Sequence, residues 1–385
     1  MKRLLVVLSA LHIVLAQAAT PPKDVAQAPR ESKSGAPAAV SRPRAVPPAA
    51  SETPAYKIAT ASERGTYIVL GRDLATTVAP DANMDLEALP SAGSAENVRR
   101  LRFEPGVKFA IVQSDVYQAF LDQAAAGNKE AGVIIRPLRV ILPLYDEEIY
   151  WVARADAPFD FIHEVKDARI NAGPVGSGTA LTALTVYQAI FKTPLPRATT
   201  TFLANEEALL KLTGDKTVDV VVIVGGQPMK LLADMKPEAR QLIKFLRVDP
   251  SAATSREALR TYYAATVRKS SYPNLLSEDL PSLAVKAFLV TYDYNVKQTQ
   301  RHLVRFARSL CENLRGLRTH GHPKWKEVQL ALPDLPEGWL YYPPTARELS
   351  VCIAEQSDVQ QAAPPGVRAS CTPQELVLGL CSKPN

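Results

Sequence analysis

Four times along this chain a short β-rich run stops at a loop of small residues and a helical stretch begins. The runs are 58–60, 86–89, 170–172 and 218–224. The loops that follow are Ala61-Ser62-Glu63-Arg64-Gly65-Thr66-Tyr67, Pro90-Ser91-Ala92-Gly93-Ser94-Ala95-Glu96-Asn97, Gly173-Pro174-Val175-Gly176-Ser177-Gly178-Thr179 and Gly225-Gly226-Gln227-Pro228. Strand and helix in regular turn specify βαβ units, which need a mainly parallel sheet with helices packed on its faces. The expected class is therefore α/β.

Residues 138–154 break the rhythm. Two extended runs, 138–144 and 149–153, flank Tyr145-Asp146-Glu147-Glu148, and we read the whole as a crossover between two lobes. The acidic cluster is expected to be a solvated hinge face. Tyr150 and Trp151 alternate along the second run, so one of them should be core. The run 285–292 is the expected return strand, and 298–314 the closing helix of the first lobe. Residues 56–385 exceed the ~250–300 residues that one hydrophobic core usually serves. The expected organisation is a first lobe over 56–145 and 283–316, a second over 146–282, and an irregular, cysteine-containing extension over 317–385.

The start of the chain reads differently. Lys2 and Arg3 precede an apolar run over 4–15, and Ala16-Gln17-Ala18 has the small residues of a signal-peptidase site. The run falls short of the ~20 apolar residues that a permanent span needs. Residues 1–18 are thus expected to be a signal peptide cleaved after Ala18, with the product exported to the periplasm. Residues 19–55 hold Ala, Pro and Ser with no aromatic, too little apolar surface to offset their ordering entropy, and read as a disordered tether.

The formal charge of +6 is modest for 385 residues, and no dense Lys/Arg block is interleaved with aromatics. Nucleic acid is therefore not an expected partner. All four cysteines, Cys311, Cys352, Cys371 and Cys381, lie in the last fifth of the chain without a CxxC pair. In an oxidising compartment they read as two disulfides. Three pairings are open, and Cys311–Cys352 with Cys371–Cys381 is the one expected; buried free thiols are the alternative. His320-Gly321-His322 alone makes a poor metal site, so neither metal nor cofactor is expected.

The four junctions carry the chemistry. The first N–H groups of a helix have no partner within it and hold the positive end of its dipole. A loop of Gly and Ser lets a ligand approach them, so each junction is a ready anion site. In an open α/β sheet all such loops lie at the carboxyl ends of the strands. Two junctions on each side of a crossover would cage a small carboxylate. None is a phosphate loop, since 173–179 lacks the Gly-Lys-Ser/Thr ending, and none is GxGxxG or GxSxG. No catalytic constellation is found, so no enzyme is expected.

In order along the chain, Gly65-Thr66-Tyr67 with Leu70-Gly71, Gly93-Ser94 with Glu96-Asn97, Ala110-Ile111-Val112-Gln113-Ser114-Asp115, Tyr145 with Glu147-Glu148, residues 171–179 and Gly225-Gly226-Gln227-Pro228 resemble the TAXI-family solute receptors. These serve tripartite ATP-independent periplasmic (TRAP) transporters. The resemblance covers about residues 56–315. It implies a type II periplasmic-binding-protein fold, with two Rossmann-like lobes joined by crossover hinge strands. It implies capture of dicarboxylates, oxo acids or acidic amino acids by a monomer, and delivery to a membrane permease. Carried over by position, the implied ligand residues are Gly65, Thr66, Tyr67, Ser94, Asn97, Gln113, Ser177, Gly178, Thr179 and Gly226. Two residues depart from the family's first loop, Arg64 and Ile68. Arg64 is open to two readings, a bidentate partner for a ligand carboxylate or a solvent-facing side chain paired with Glu63. Glu96 reads as a first-turn acid, and Asp115 as a capping or lobe-internal acid. The tether and the extension lie outside the family's usual outline, which leaves a sensor kinase or envelope complex as the alternative partner.

Overall fold

The computed structural model describes residues 53–362. The expected signal segment, nearly all of the tether and the expected pair Cys371–Cys381 lie outside the described residues.

In chain order, β1 (Ala55–Ala59), β2 (Asp85–Leu89) and β3 (Val107–Gln113) lead into α1 (Thr66–Asp73), α2 (Ser94–Phe103) and α3 (Asp115–Ala125). α4 (Lys129–Ile135) follows, then the 17-residue β4 (Leu138–Arg154). Next come β5 (Ile170–Asn171), α5 (Gly178–Phe191), β6 (Thr200–Thr201), α6 (Asn205–Thr213), β7 (Val220–Gly225) and α7 (Lys230–Ala233). β8 (Ile243–Phe245), α8 (Ala253–Ala258), β9 (Tyr263–Val267), the 13-residue β10 (Leu280–Tyr292), α9 (Lys297–His320) and α10 (Pro343–Ala362) complete the chain.

The sheet order is β2-β1-β3-β10-β4-β7-β5-β6. Each end is a parallel trio, β2-β1-β3 on one side and β7-β5-β6 on the other. Between them β10 and β4 run antiparallel to each other and to their neighbours. At ~3.3 Å per residue these two strands are long enough to serve both trios. The part of β10 near Leu289 pairs with β3, and the part near Leu283 pairs with β9. Four apolar clusters result, one on each face of each half of the sheet. Tyr150 and Trp151 leave opposite faces of β4 and enter two of them, so both are core.

Residues 145–148 do not interrupt β4. Asp146, Glu147 and Glu148 stay in register with Lys286, Val285 and Ala284 of β10. Glu147 and Glu148 are only 2% and 4% exposed, so the solvated-hinge reading fails for both. A carboxyl can remain there because each has polar partners, described below.

The closing helix runs past the expected end at residue 314 to His320. Gly316 costs about 1 kcal/mol within a helix, yet Leu310, Leu314 and Leu317 bury a continuous face across it. The extension is also less irregular than expected, because α10 packs on α9 and Leu349 and Cys352 join the same core cluster as Leu310 and Cys311. Cys311 and Cys352 are disulfide-bonded.

Candidate functional site

All four junctions reach one cavity of about 100 Å3. The loop before α1 and its first turn supply Arg64, Gly65, Thr66 and Tyr67; the junction at α2 supplies Gly93 and Ser94, and that at α5 Ser177, Gly178 and Thr179. Gln113, at the end of β3, completes that side. The N-cap positions of α1 and α2 are glycines without a side-chain cap, which leaves first-turn amides for another acceptor. Gly93 also needs its residue type, since its φ is +126°. The Ser177 hydroxyl caps α5 by accepting from Ala180 N at 3.0 Å.

The fourth junction behaves otherwise. Its helix, α7, is four residues long, which weakens the dipole argument there. Val224, Gly225, Met229 and Leu231 line the cavity, whereas Gly226 lies against Tyr145 and Lys324. Gly226 contributes its carbonyl, which accepts from Thr66 Oγ1 at 2.8 Å. Beside that helix, the start of α6 enters the lining with Ala204, Asn205 and Glu206.

Asn97 does not line the cavity. Fully buried, it donates to the carbonyls of Thr60 and Ile111 and accepts from Ser91 Oγ at 2.6 Å. It ties together the ends of β1 and β3 and the loop before α2. Arg64 lines the cavity and pairs at 3.5 Å with Asp234, from the opposite half of the sheet. Glu63 pairs with Arg72, so of the two readings of Arg64 the one that paired it with Glu63 is not what forms.

The two halves touch around the cavity. Besides the Thr66–Gly226 bond, Glu96 N donates to Gly176 O at 2.9 Å. Asp115, expected to act within its own lobe, accepts from Thr182 Oγ1 at 2.7 Å and from Tyr262 OH at 3.1 Å, both in the second half. Burial pushes its carboxyl up to about 6. Gly178 approaches Gln113 so closely that a Cβ there would stand 1.8 Å from Gln113 Oε1 and 2.7 Å from Ser94 Oγ.

Sequence reasoning missed one cavity residue of consequence. Glu147 lines it from β4 and accepts a 2.5 Å hydrogen bond from Tyr67 OH. Burial raises its carboxyl to about 8, with Glu148 and Asp115 adding to the rise and Tyr67 and Lys324 opposing it. Burial likewise raises Tyr67 well above its ordinary value. The available signal was two adjacent acids inside an otherwise apolar strand, which must be paired or neutral if buried. On the other face, Glu148 accepts from Gln227 N and Nε2 and from the buried Lys324 Nζ at 2.8 Å. Lys324 comes from the extension and also donates to Asp146 O and Glu327.

A family model described as the NMT1-like family matches residues 58–334. Solved structures with similar outlines include the periplasmic binding protein BugD, at 14% identity and TM-score 0.45, covering 80% of this chain and 96% of that one. A TctC solute-binding protein from Polaromonas matches at 16% identity and TM-score 0.38 over 80% and 99%. The alkanesulfonate-binding protein SsuA from Xanthomonas axonopodis pv. citri, bound to MOPS, matches at 13% identity and TM-score 0.38 over 82% and 96%. At these TM-scores the likenesses do not bear on this chain's ligand.

Proposed function

The chain belongs to the NMT1-like family, and on that footing we propose that it is an exported solute-binding protein that closes on a small organic anion and performs no reaction on it. One observation carries the reading: the first turns of α1, α2 and α5 meet in a single cavity, with the two halves of the sheet in contact around it. Uncapped amides and helix dipoles aimed at one point suit a carboxylate. The cavity of about 100 Å3 suits a compact ligand, well below the ~300–1,000 Å3 of drug-sized sites. Dicarboxylates, oxo acids and acidic amino acids are the proposed class. Gly65, Thr66, Tyr67, Ser94, Gln113, Ser177, Gly178 and Thr179 are the proposed contacts, with Arg64 at the rim.

Closure would work through β4 and β10, the two strands common to both halves, with ligand contacts from each half favouring the closed form. The proposed setting is the periplasm, with delivery to a TRAP-type membrane permease. Among the described residues no helix is long and apolar enough to cross a membrane. Calorimetric titration with succinate, 2-oxoglutarate and glutamate tests the ligand class. The expected result is saturable binding of at least one of them at one per chain, and silence from all three contradicts it.

A further inference from the structure

A carboxyl group is an odd lining for an anion cavity. Glu147 is 2% exposed, faces the same space as the first turns of α1, α2 and α5, and is fixed there by Tyr67 OH. Were it ionised, its charge would oppose that of a bound carboxylate at short range and low dielectric. Were it protonated, it would present an O–H donor to the ligand while still accepting from Tyr67. We propose that this protein binds its anion only with Glu147 protonated, so that a proton enters with the ligand wherever Glu147 is ionised in the free chain. The inference rests on the anion-capture reading above and adds a specificity-determining residue to it.

The surroundings favour this. Glu148 and Tyr145 flank Glu147 on its own strand, Tyr67 faces it from α1, and Asp115 acts on it from α3. Lys324 acts on it from the extension, but that ammonium is already bonded to Glu148, Glu327 and Asp146 O. At the cavity lining Arg64 is paired with Asp234, and Glu206 is exposed. The nearby cations are therefore engaged elsewhere, and burial holds Glu147 in its neutral form at neutral pH. A bound anion strengthens that preference, so by linkage ligand affinity must fall as pH rises through the range in which Glu147 ionises.

The test is calorimetry of the full exported chain with succinate and 2-oxoglutarate, both fully ionised from pH 7 to 9. Titrations at several pH values are repeated in two buffers of different ionisation enthalpy. The expected result is little proton uptake at pH 7, where free Glu147 already holds its proton, uptake that approaches one per ligand above pH 8, and an affinity that falls there by up to about tenfold per pH unit. Glu147→Gln should show neither the uptake nor the slope, and circular dichroism checks that it is folded; the wild-type proton count stands without it. Binding of either anion with no pH slope and no proton uptake leaves anion capture intact and overturns this inference. Affinity that rises with pH, or exclusive binding of glutamate that Glu147→Gln abolishes, also overturns it, because Glu147 would then be the ionised partner of an ammonium group. No binding at any pH counts instead against the capture reading itself.

Discussion

Glu147 and Glu148 are consecutive residues of β4, equally buried, and they solve the same problem in opposite ways. Successive side chains of a strand leave opposite faces. Burial raises the Glu148 carboxyl too, but Lys324 and the backbone amide of Gln227 oppose the rise, and Gln227 Nε2 adds a further hydrogen bond. Glu147 meets a cavity and one tyrosine hydroxyl, so the cheaper solution is to keep its proton. The difference teaches that one face of this strand is built to hold the molecule together and the other to respond to what enters. It also gives the extension a structural reason, because the cation that satisfies Glu148 comes from beyond α9.

The largest effect should come from breaking the paired side. Lys324→Ala strands Glu148 in the interior, which costs about 3–5 kcal/mol, whereas replacing both partners by neutral groups is far milder. Thermal denaturation of Lys324→Ala, Glu148→Gln and the double variant checks this. The double variant should be more stable than Lys324→Ala alone; if it is not, the two residues are not a matched pair.

The cavity side should show itself in the dependence of stability on pH. A carboxyl raised from 4.5 to about 8 in the folded chain keeps a proton that the unfolded chain has lost. Its stabilising contribution is complete below pH 4.5 and fades as pH climbs to about 8, by up to about 1.4 kcal/mol per pH unit. Glu147→Gln should flatten the melting-temperature curve over that window. Asp115, raised from 3.8 to about 6, should give the same sign over a narrower range, and Asp115→Asn a correspondingly smaller flattening. A wild-type curve that rises from pH 5 to 8 and is altered by neither substitution would remove the distinction between the two faces.

The parts legible in the sequence were the local ones. Gly65, Gly93 and Gly178 mark helix starts by residue type, and the β-rich runs before them mark strand ends, so the junctions and most of their cavity residues could be named. What escaped depended on distant partners. Arg64 finds Asp234, Asp115 finds Thr182 and Tyr262, and Glu148 finds Lys324, none of them near in the chain. Asn97 shows the converse limit, since its position in a junction motif suggested ligand contact, yet its three hydrogen bonds are all spent on the loops around it. The length of α9 escaped because its buried leucine face outweighs one glycine. The helix from Asn205 was legible, but with no glycine at its start nothing marked it as part of the cavity lining.

The central claim is that a ligand is held in the cavity where the halves of the sheet meet. Gly178 tests it most directly, because any side chain there enters the space of Gln113 and Ser94. The measurement is calorimetric titration of wild type and Gly178→Val with the tightest binder among succinate, 2-oxoglutarate and glutamate. The account predicts one ligand per wild-type chain and an affinity at least about 100-fold weaker, some 2.8 kcal/mol, in a variant that still melts cooperatively. Equal affinity in the two proteins would place the ligand outside this cavity and contradict the account.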